Sequence, residues 1–246
     1  PEAIRRIAYD AAKEAELAAL LDWAYQAGVR ADPRSDDELT AIAGGPQHEG
    51  LCIRTTPRPW VSPSELPELL LPRQGVALAL DRVRNPYNIG AVLRSAGFFG
   101  LDAVLLGAPA PHPGLSAQAV RVAEGGVEHV AMSRTTDLAD TLARLRARGI
   151  AVVGADGTAP HRALGYAYPR PLVLVMGNER EGLAPRVRAQ CDALVAIAGS
   201  GAVESLNVGV AAGILLAEVT RDRGVNPSRS SSPRTPRGGG RWGRTS

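Results

Sequence analysis

The chain has 246 residues, enough for one large domain or for a domain of about 150 residues with smaller attachments. Hydrophobic residues make up 45% of it, which supports a sizeable core, and no apolar run reaches the roughly 20 residues of a membrane helix. The formal charge of +3 is uneven, because residues 227–246 hold five arginines and no acidic residue, leaving −2 for residues 1–226.

The cysteines and histidines argue against metal chemistry. Cys52 and Cys191 lie far apart and outside any metal-ligand spacing, and the four histidines share no such spacing either. No secretory signal is visible. We therefore expect two reduced, structural thiols, no metal site and a cytoplasmic protein.

Residues 1–59 read as a small α/β piece. Helical apolar spacing over 11–28 ends at Gly28, "DDELTAIAGG" predicts a short second helix, and "GLCIRTT" predicts a short strand. Five prolines then fall between positions 57 and 72. This composition predicts a linker over residues 60–74.

From Val76 onward, short apolar runs alternate with helical stretches. The predicted strands are 76–80, 102–107, 150–155, 172–177 and 193–198. The predicted helices are 89–99, 116–124, 138–148, 184–190 and 205–221. Strands without polar alternation, separated by helices, predict an α/β domain with a mostly parallel sheet and helices on both faces, over residues 75–226.

Polar, glycine-bearing loops follow three of these strands, at the edge where open α/β sheets bind ligands. They read "DRVRNPYNIG", "GNEREGL" and "GSGAVESLN". No GxGxxG follows the first strand, which argues against a nicotinamide-dependent oxidoreductase. No GxxxxGK[ST] occurs, and Lys13 is the only lysine, which excludes a P-loop.

The third loop has two interpretations. Ser205 and Asn207 are favoured residues for the N-cap of the helix that follows. The glycines before them would also let the backbone approach a small molecule closely. This stretch alone leaves both open.

Three stretches in order resemble the SpoU, or TrmH-type, RNA 2′-O-ribose methyltransferases. "NPYNIGAVLRSAGFFG" is similar to the family's first motif, "LVLVMGNEREGL" to its glycine–x–glutamate motif, and the stretch from Ile197 to Asn207 to its Ser-Leu-Asn motif. "VRVAEGGVEHV" and "PQHEGLCI" further resemble the YfiF-like branch. The chain departs from the family at two positions, with Ala198 for a usual proline and Gly209 for a common serine.

This resemblance implies a SPOUT-type fold with a C-terminal trefoil knot, S-adenosylmethionine as cofactor, ribosomal or transfer RNA as substrate, and a homodimer. Residues 1–59 would be part of a small RNA-binding domain lacking its first strand. An RNA-binding module with a decayed methylation site is the alternative function. The Ser-, Pro-, Gly- and Arg-rich segment 227–246 should be disordered, and either binds RNA backbone or is a solvated tail.

The resemblance also assigns the site. The catalytic residues would be Arg94, Asn88, Glu179, Ser205 and Asn207, and the cofactor would contact Ala155, Gly177, Ile197 and Leu206. Arg94 could be a base or a phosphate anchor, and we favour the anchor because guanidinium stays protonated below about pH 12. Glu179 is expected to orient its loop and Arg94, and Asn88 to hold Arg94 or the RNA.

Overall fold

The computed structural model describes residues 3–109 and 114–222. They form two compact units, one ending at Pro59 and one beginning at Trp60. The arginine-rich segment 227–246, expected to be disordered, lies outside the described residues.

The first unit is a three-stranded sheet with two helices. Its elements are β1 (Ile4–Asp10), α1 (Ala18–Gln26), β2 (Arg30–Arg34), α2 (Asp36–Ala43) and β3 (Leu51–Thr55). The strand order is β2-β1-β3, with β1 parallel to β2 and antiparallel to β3. Ile7 and Tyr9 of β1 pack with Ala24 of α1 in a small core.

Two strands of this unit were absent from the sequence prediction. The central strand β1 lies directly before the predicted helix over 11–28 and was not predicted. The predicted helix over 11–28 is also shorter, because a separate 3₁₀ turn covers Ala11–Lys13 and α1 begins only at Ala18. Strand β2 contains Pro33, which is tolerated because β2 lies at the edge of the sheet.

The second unit contains a seven-stranded sheet in which every pairing is parallel. Its strands are β4 (Val76–Asp81), β5 (Ala103–Gly107), β6 (Ala131–Thr135), β7 (Ala151–Ala155), β8 (His161–Arg162), β9 (Leu172–Met176) and β10 (Ala193–Ala196). Their order is β6-β5-β4-β9-β7-β10-β8. The predicted α/β class with a parallel sheet is confirmed, although β6 and the two-residue β8, both at edges, were not predicted.

Helices cover both faces of this sheet, as predicted. They are α3 (Leu66–Leu70), α4 (Pro86–Phe98), α5 (Ala117–Ala123), α6 (Leu138–Ala147), α7 (Pro185–Arg188) and α8 (Val208–Thr220). Alternate residues of β4 point to opposite cores: Leu78 packs in the cluster with α4, α5 and α8, whereas Ala79 packs in the cluster with α3, α6 and α7. Burial on both faces explains why this strand has no polar alternation.

The prediction of a linker over residues 60–74 is wrong for most of that segment. A 3₁₀ turn at Pro63–Glu65 leads into α3, and Leu66 and Leu70 are fully buried against the sheet. The prolines misled the sequence reading because Pro63 and Pro67 occupy first-turn positions, where a missing backbone N–H has no intrahelical partner to lose.

The last helix of the second unit, α8, packs against its early helix α4. Strand β9 lies between β4 and β7, β10 lies outside β7, and α8 then packs against α4. A Cβ at Gly209 of α8 would lie 3.0 Å from the Cβ of Ala91 in α4, so the serine common in the family would require a small shift of the two helices. Within the described residues, no helix is both long and apolar enough to span a membrane.

Candidate active site

Helix α4 places the first group of predicted site residues. Asn85 caps the helix by accepting the N–H of Tyr87 at 2.9 Å, and Pro86 fills the first helical position. Asn88 therefore lies in the first turn, directly beyond the carboxyl end of β4, and Arg94 lies farther along the same helix.

A tight turn after β9 presents the glycine–x–glutamate motif. A Cβ at Gly177 would lie only 2.1 Å from the carbonyl carbon of Gly182, so no side chain fits there. The side-chain oxygen of Asn178 accepts the N–H groups of Arg180 and Glu181 at 3.0 and 2.8 Å. Gly182 has a φ of +65°, which glycine adopts readily. The motif's two glycines are thus needed to close the turn.

Side chains from all three motifs meet at one point. Asn88 donates a hydrogen bond to Glu179, and Asn207 donates one from Nδ2 to Oδ1 of Asn88 at 3.0 Å. Asn207 also caps α8, because its Oδ1 accepts the N–H of Gly209 at 2.9 Å. The sequence left open whether Ser205 and Asn207 cap the helix after the third loop. Asn207 is the N-cap of α8, whereas Ser205 lies before the helix and does not cap it.

The predicted cofactor contacts lie at or beyond the carboxyl ends of β7, β9 and β10. Ala155 and Ile197 lie at or just beyond the ends of β7 and β10 and pack partly buried against the core. Leu206 is 46% exposed and Val203 is 77% exposed, so the loop after β10 presents apolar side chains to water. Exposed apolar groups beside polar ones, with glycine backbone nearby, fit a ligand such as S-adenosylmethionine that has both an aromatic base and charged groups.

Arg94 lies apart from this cluster in the described structure. Its side chain is 58% exposed, and its Nη1 forms an ion pair of 2.8 Å with Oε1 of Glu124. The expected contacts of Arg94 with Asn88 and Glu179 are absent from the described hydrogen bonds and ion pairs, in which those two side chains bond each other and Arg94 pairs with Glu124. Arg94 remains open to a substrate, since an exposed ion pair of this kind contributes about 0–1 kcal/mol.

Two partly buried groups of the second unit are unsuited to act as bases at neutral pH. Burial raises the pKa of Tyr168 to about 12, with Glu218 adding to the rise, and its hydroxyl donates to the carbonyl of Ala163 at 3.1 Å. Burial also raises the pKa of the Cys191 thiol to about 11. Both groups therefore stay protonated at neutral pH.

Several residues of the site region were missed by the sequence reading. Glu124 has a φ of +42° at the end of α5 and pairs with Arg94. Asp81 and Arg82, at the end of β4, both contact the segment after β9. A signal in the sequence was available for Asp81, because a carboxylate at the end of an otherwise apolar strand indicates a residue with a specific partner. Over residues 3–109 and 114–222, no group of three or more His, Cys, Asp or Glu side chains could hold a metal ion.

Comparison with known proteins gives the family. The sequence model of the SpoU rRNA Methylase family matches residues 75–217, which is more than half of the chain and includes all three motifs. The chain belongs to this family. The predicted resemblance to the SpoU methyltransferases is thereby confirmed.

Similar proteins with assigned names agree with this assignment. The chain is 38% identical over 209 residues to the 23S rRNA (guanosine-2′-O-)-methyltransferase RlmB of Ralstonia nicotianae, covering 84% of this chain and 82% of that protein. It is 39% identical over 187 residues to RlmB of Salmonella typhi, covering 75% of this chain and 76% of that protein. The structure of an AdoMet-bound rRNA methyltransferase from Sinorhizobium meliloti superposes with a TM-score of 0.66 at 25% identity, covering 91% of this chain and 81% of that one.

Proposed function

We propose that this SpoU family member transfers a methyl group from S-adenosylmethionine to the ribose 2′-hydroxyl of a guanosine in 23S ribosomal RNA. The observation that carries the proposal is the meeting of Asn88, Glu179 and Asn207, one from each motif, beyond the carboxyl ends of the strands. The names of the RlmB relatives supply the nucleotide and the RNA.

The loops after β7, β9 and β10 would hold the cofactor. Gly177 and Leu206 would contact it mainly through the backbone, with Ala155 and Ile197 beneath it. When bound, S-adenosylmethionine supplies a methyl group on a sulfonium, whose departure as a neutral thioether makes the transfer favourable. The protein has to align the ribose hydroxyl and to manage its proton.

Arg94 would bind the phosphate next to the target ribose. A guanidinium presents two parallel donors to a phosphate and stays charged at neutral pH, so it can also stabilise an alkoxide developing on the 2′-oxygen. The ion pair with Glu124 would open when RNA arrives, because the phosphate offers Arg94 an equivalent anionic partner. Ser205, which caps no helix, is left available to contact the ribose.

The first unit would bind RNA through a row of arginines. The strand register places Arg30, Arg6 and Arg54 side by side across β2, β1 and β3, on one face of the sheet. Asp32 pairs with Arg6 and Arg30, and the hydrogen bond from Arg30, together with that from Arg6, lowers the pKa of Asp32. Arg54 has no ion pair with any described residue, so the row keeps a positive excess suited to phosphates.

A homodimer, a trefoil knot and a cytoplasmic location belong to the same proposal. The order of β9 and β10 in the sheet, followed by the return of α8 to α4, supports the knot. In the dimer, the exposed Arg94 would reach the cofactor site of the second copy, since it does not reach its own Asn88–Glu179 pair.

Two measurements test the proposed function. Calorimetry should show binding of S-adenosylmethionine and no binding of NAD. Mapping of 2′-O-methyl groups in total RNA, with and without the protein, should show one guanosine of 23S RNA that loses its methyl group when the protein is absent. RNA binding without any cofactor binding at millimolar ligand would instead favour a module whose methylation site has decayed.

A further inference from the structure

Arg82, the residue directly after β4, has an unusual backbone conformation. Its φ is +59°, in the left-handed region that residues with a Cβ seldom adopt. Its N–H donates to the carbonyl of Gly107 at 2.7 Å, so the neighbouring strand end fixes this conformation. Glycine would adopt the same φ without strain, so an arginine at this position has to be explained by its side chain.

The side chain of Arg82 reaches the turn that carries the glycine–x–glutamate motif. Its guanidinium forms an ion pair with Glu181, and its Nη2 donates to the carbonyl of Gly182 at 3.1 Å. The side chain is only 26% exposed, so these contacts are partly shielded from water. They link the end of β4 to a turn that is distant from it in the sequence.

Asp81 reinforces this link. Its side chain is buried, and Oδ2 accepts the N–H of Ala184 at 2.7 Å. Its Oδ1 lies 3.4 Å from Nε of Arg82. The end of β4 therefore holds the far side of the turn at Glu181, Gly182 and Ala184.

Helix α4 holds the near side of the same turn. Asn88 donates to Glu179, the last residue of the glycine–x–glutamate motif that starts at Gly177. Residues 179–182 are exposed, so these attachments and the hydrogen bonds to Asn178 within the turn hold them in place. The Asn178 side chain sets the conformation inside the turn, whereas the contacts at each end fix where the turn lies against β4 and α4.

We propose that Arg82 is a positioning residue that holds the turn over residues 178–182 in the position that binds S-adenosylmethionine. The inference rests on the proposed function for the identity of the ligand. Arg82 acts through Glu181 and Gly182 and does not contact the cofactor itself. Without it, the turn would have to be ordered by the ligand, and this ordering would lower the affinity.

The test uses Arg82→Gly and Glu181→Gln in the full chain. Arg82→Gly removes the guanidinium but also relieves the left-handed strain, so its thermal midpoint without ligand should stay within about 3 °C of the wild type. We expect the dissociation constant and the KM for S-adenosylmethionine to rise about threefold to tenfold, and kcat at saturating cofactor to change little. Glu181→Gln should raise both constants in the same direction.

Arg84→Gln is the matched control. Arg84 lies in the same connection between β4 and α4, but its Nη2 donates to the carbonyl of Pro109, so its loss should leave cofactor affinity unchanged. The two residues act as a pair, so their effects on cofactor affinity should not add. Adding Glu181→Gln to Arg82→Gly should therefore lower the affinity less than Glu181→Gln lowers it in the wild-type chain.

Three outcomes would overturn the inference. A folded Arg82→Gly protein with wild-type cofactor affinity would do so, as would fully additive effects of the two changes. If Arg82→Gly fails to fold, a wild-type affinity in Glu181→Gln would decide against it. A wild-type protein that binds no S-adenosylmethionine would remove the proposed function as well, whereas normal binding in every variant removes this inference alone.

Discussion

Asn207 and Asn88 are joined by a hydrogen bond of 3.0 Å between Nδ2 and Oδ1, although 119 residues separate them. Each amide makes a second contact, since Asn207 caps α8 through its oxygen and Asn88 donates to Glu179 through its nitrogen. The two asparagines therefore connect the starts of α4 and α8 with the turn after β9, which makes this pair the centre of the candidate site.

Replacing Asn207 should separate its capping of α8 from its role in the site. Asn207→Ala removes the cap and the bond to Asn88, and should cost about 1–2 kcal/mol in the free energy of unfolding. Asn207→Asp keeps a good cap but places an oxygen against Oδ1 of Asn88, so stability should stay close to wild type while methyl transfer falls. Denaturant unfolding and a methyl-transfer assay measure the two effects. Wild-type turnover in Asn207→Asp would show that the amide pair is not needed.

Loss of Arg94 should abolish methyl transfer without abolishing cofactor binding. Arg94→Ala removes the guanidinium that would bind phosphate, whereas the cofactor affinity should stay within about threefold because Arg94 would serve the RNA and its described ion pair is with Glu124. Single-turnover kinetics and calorimetry provide the measurements. Glu124→Gln serves as the control, because it frees Arg94 from an exposed ion pair and should lower the KM for RNA by no more than about fivefold. Near-normal turnover in Arg94→Ala would remove Arg94 from the site.

The proposed homodimer predicts a mass of about twice the 25.7 kDa of the chain in light scattering. Because Arg94 would then serve the second copy's site, mixing Arg94→Ala with Asn207→Ala subunits should restore part of the activity that each variant lacks alone. A fully active monomer at micromolar concentration would contradict both expectations.

The arginine row of the first unit should contribute to RNA affinity through phosphate contacts. Arg54 is its member without a described ion pair, so Arg54→Gln should reduce the slope of log K against log salt by about 0.7–0.9. Lys13→Gln changes the charge equally at a 3₁₀ turn outside the row, where Lys13 pairs with Glu16, and is the control. Equal salt slopes for the two variants would show that position on the sheet does not matter.

Residues 227–246 should add non-specific RNA affinity. A chain ending at Asn226 loses five arginines and Trp242, an indole that could stack on a base and contribute about 1–3 kcal/mol. Five phosphate contacts to single-stranded RNA would give a slope of about 3.5, so the shortened chain should bind RNA more weakly and with a flatter salt dependence. Its affinity for S-adenosylmethionine should not change, because all three motifs lie upstream. An unchanged slope would mean that the segment takes no part.

The sequence by itself determined the parallel sheet and the order of the three motifs. Apolar runs such as "LVLVM" are buried on both faces, so their composition is a direct record of the layers that cover them. Boundaries were harder to predict, and α8 begins at Val208 and not at 205 because the cap is Asn207. Leu66 and Leu70 were hidden within a proline-rich stretch. The edge strands β2 (RADPR) and β6 (AMSRT) lack an apolar run, and β8 has only two residues.

Only the tertiary structure decided which side chains meet. Asn88, Glu179 and Asn207 come together because β9 lies beside β4 and α8 packs against α4. Neither arrangement can be predicted from the local spacing of apolar residues. The partnership of Arg94 with Glu124, and of Arg82 with Glu181, likewise depends on contacts between distant segments. Local sequence sets the conformation of each element, whereas the pairing of polar groups depends on how the buried faces pack, which is a property of the whole chain.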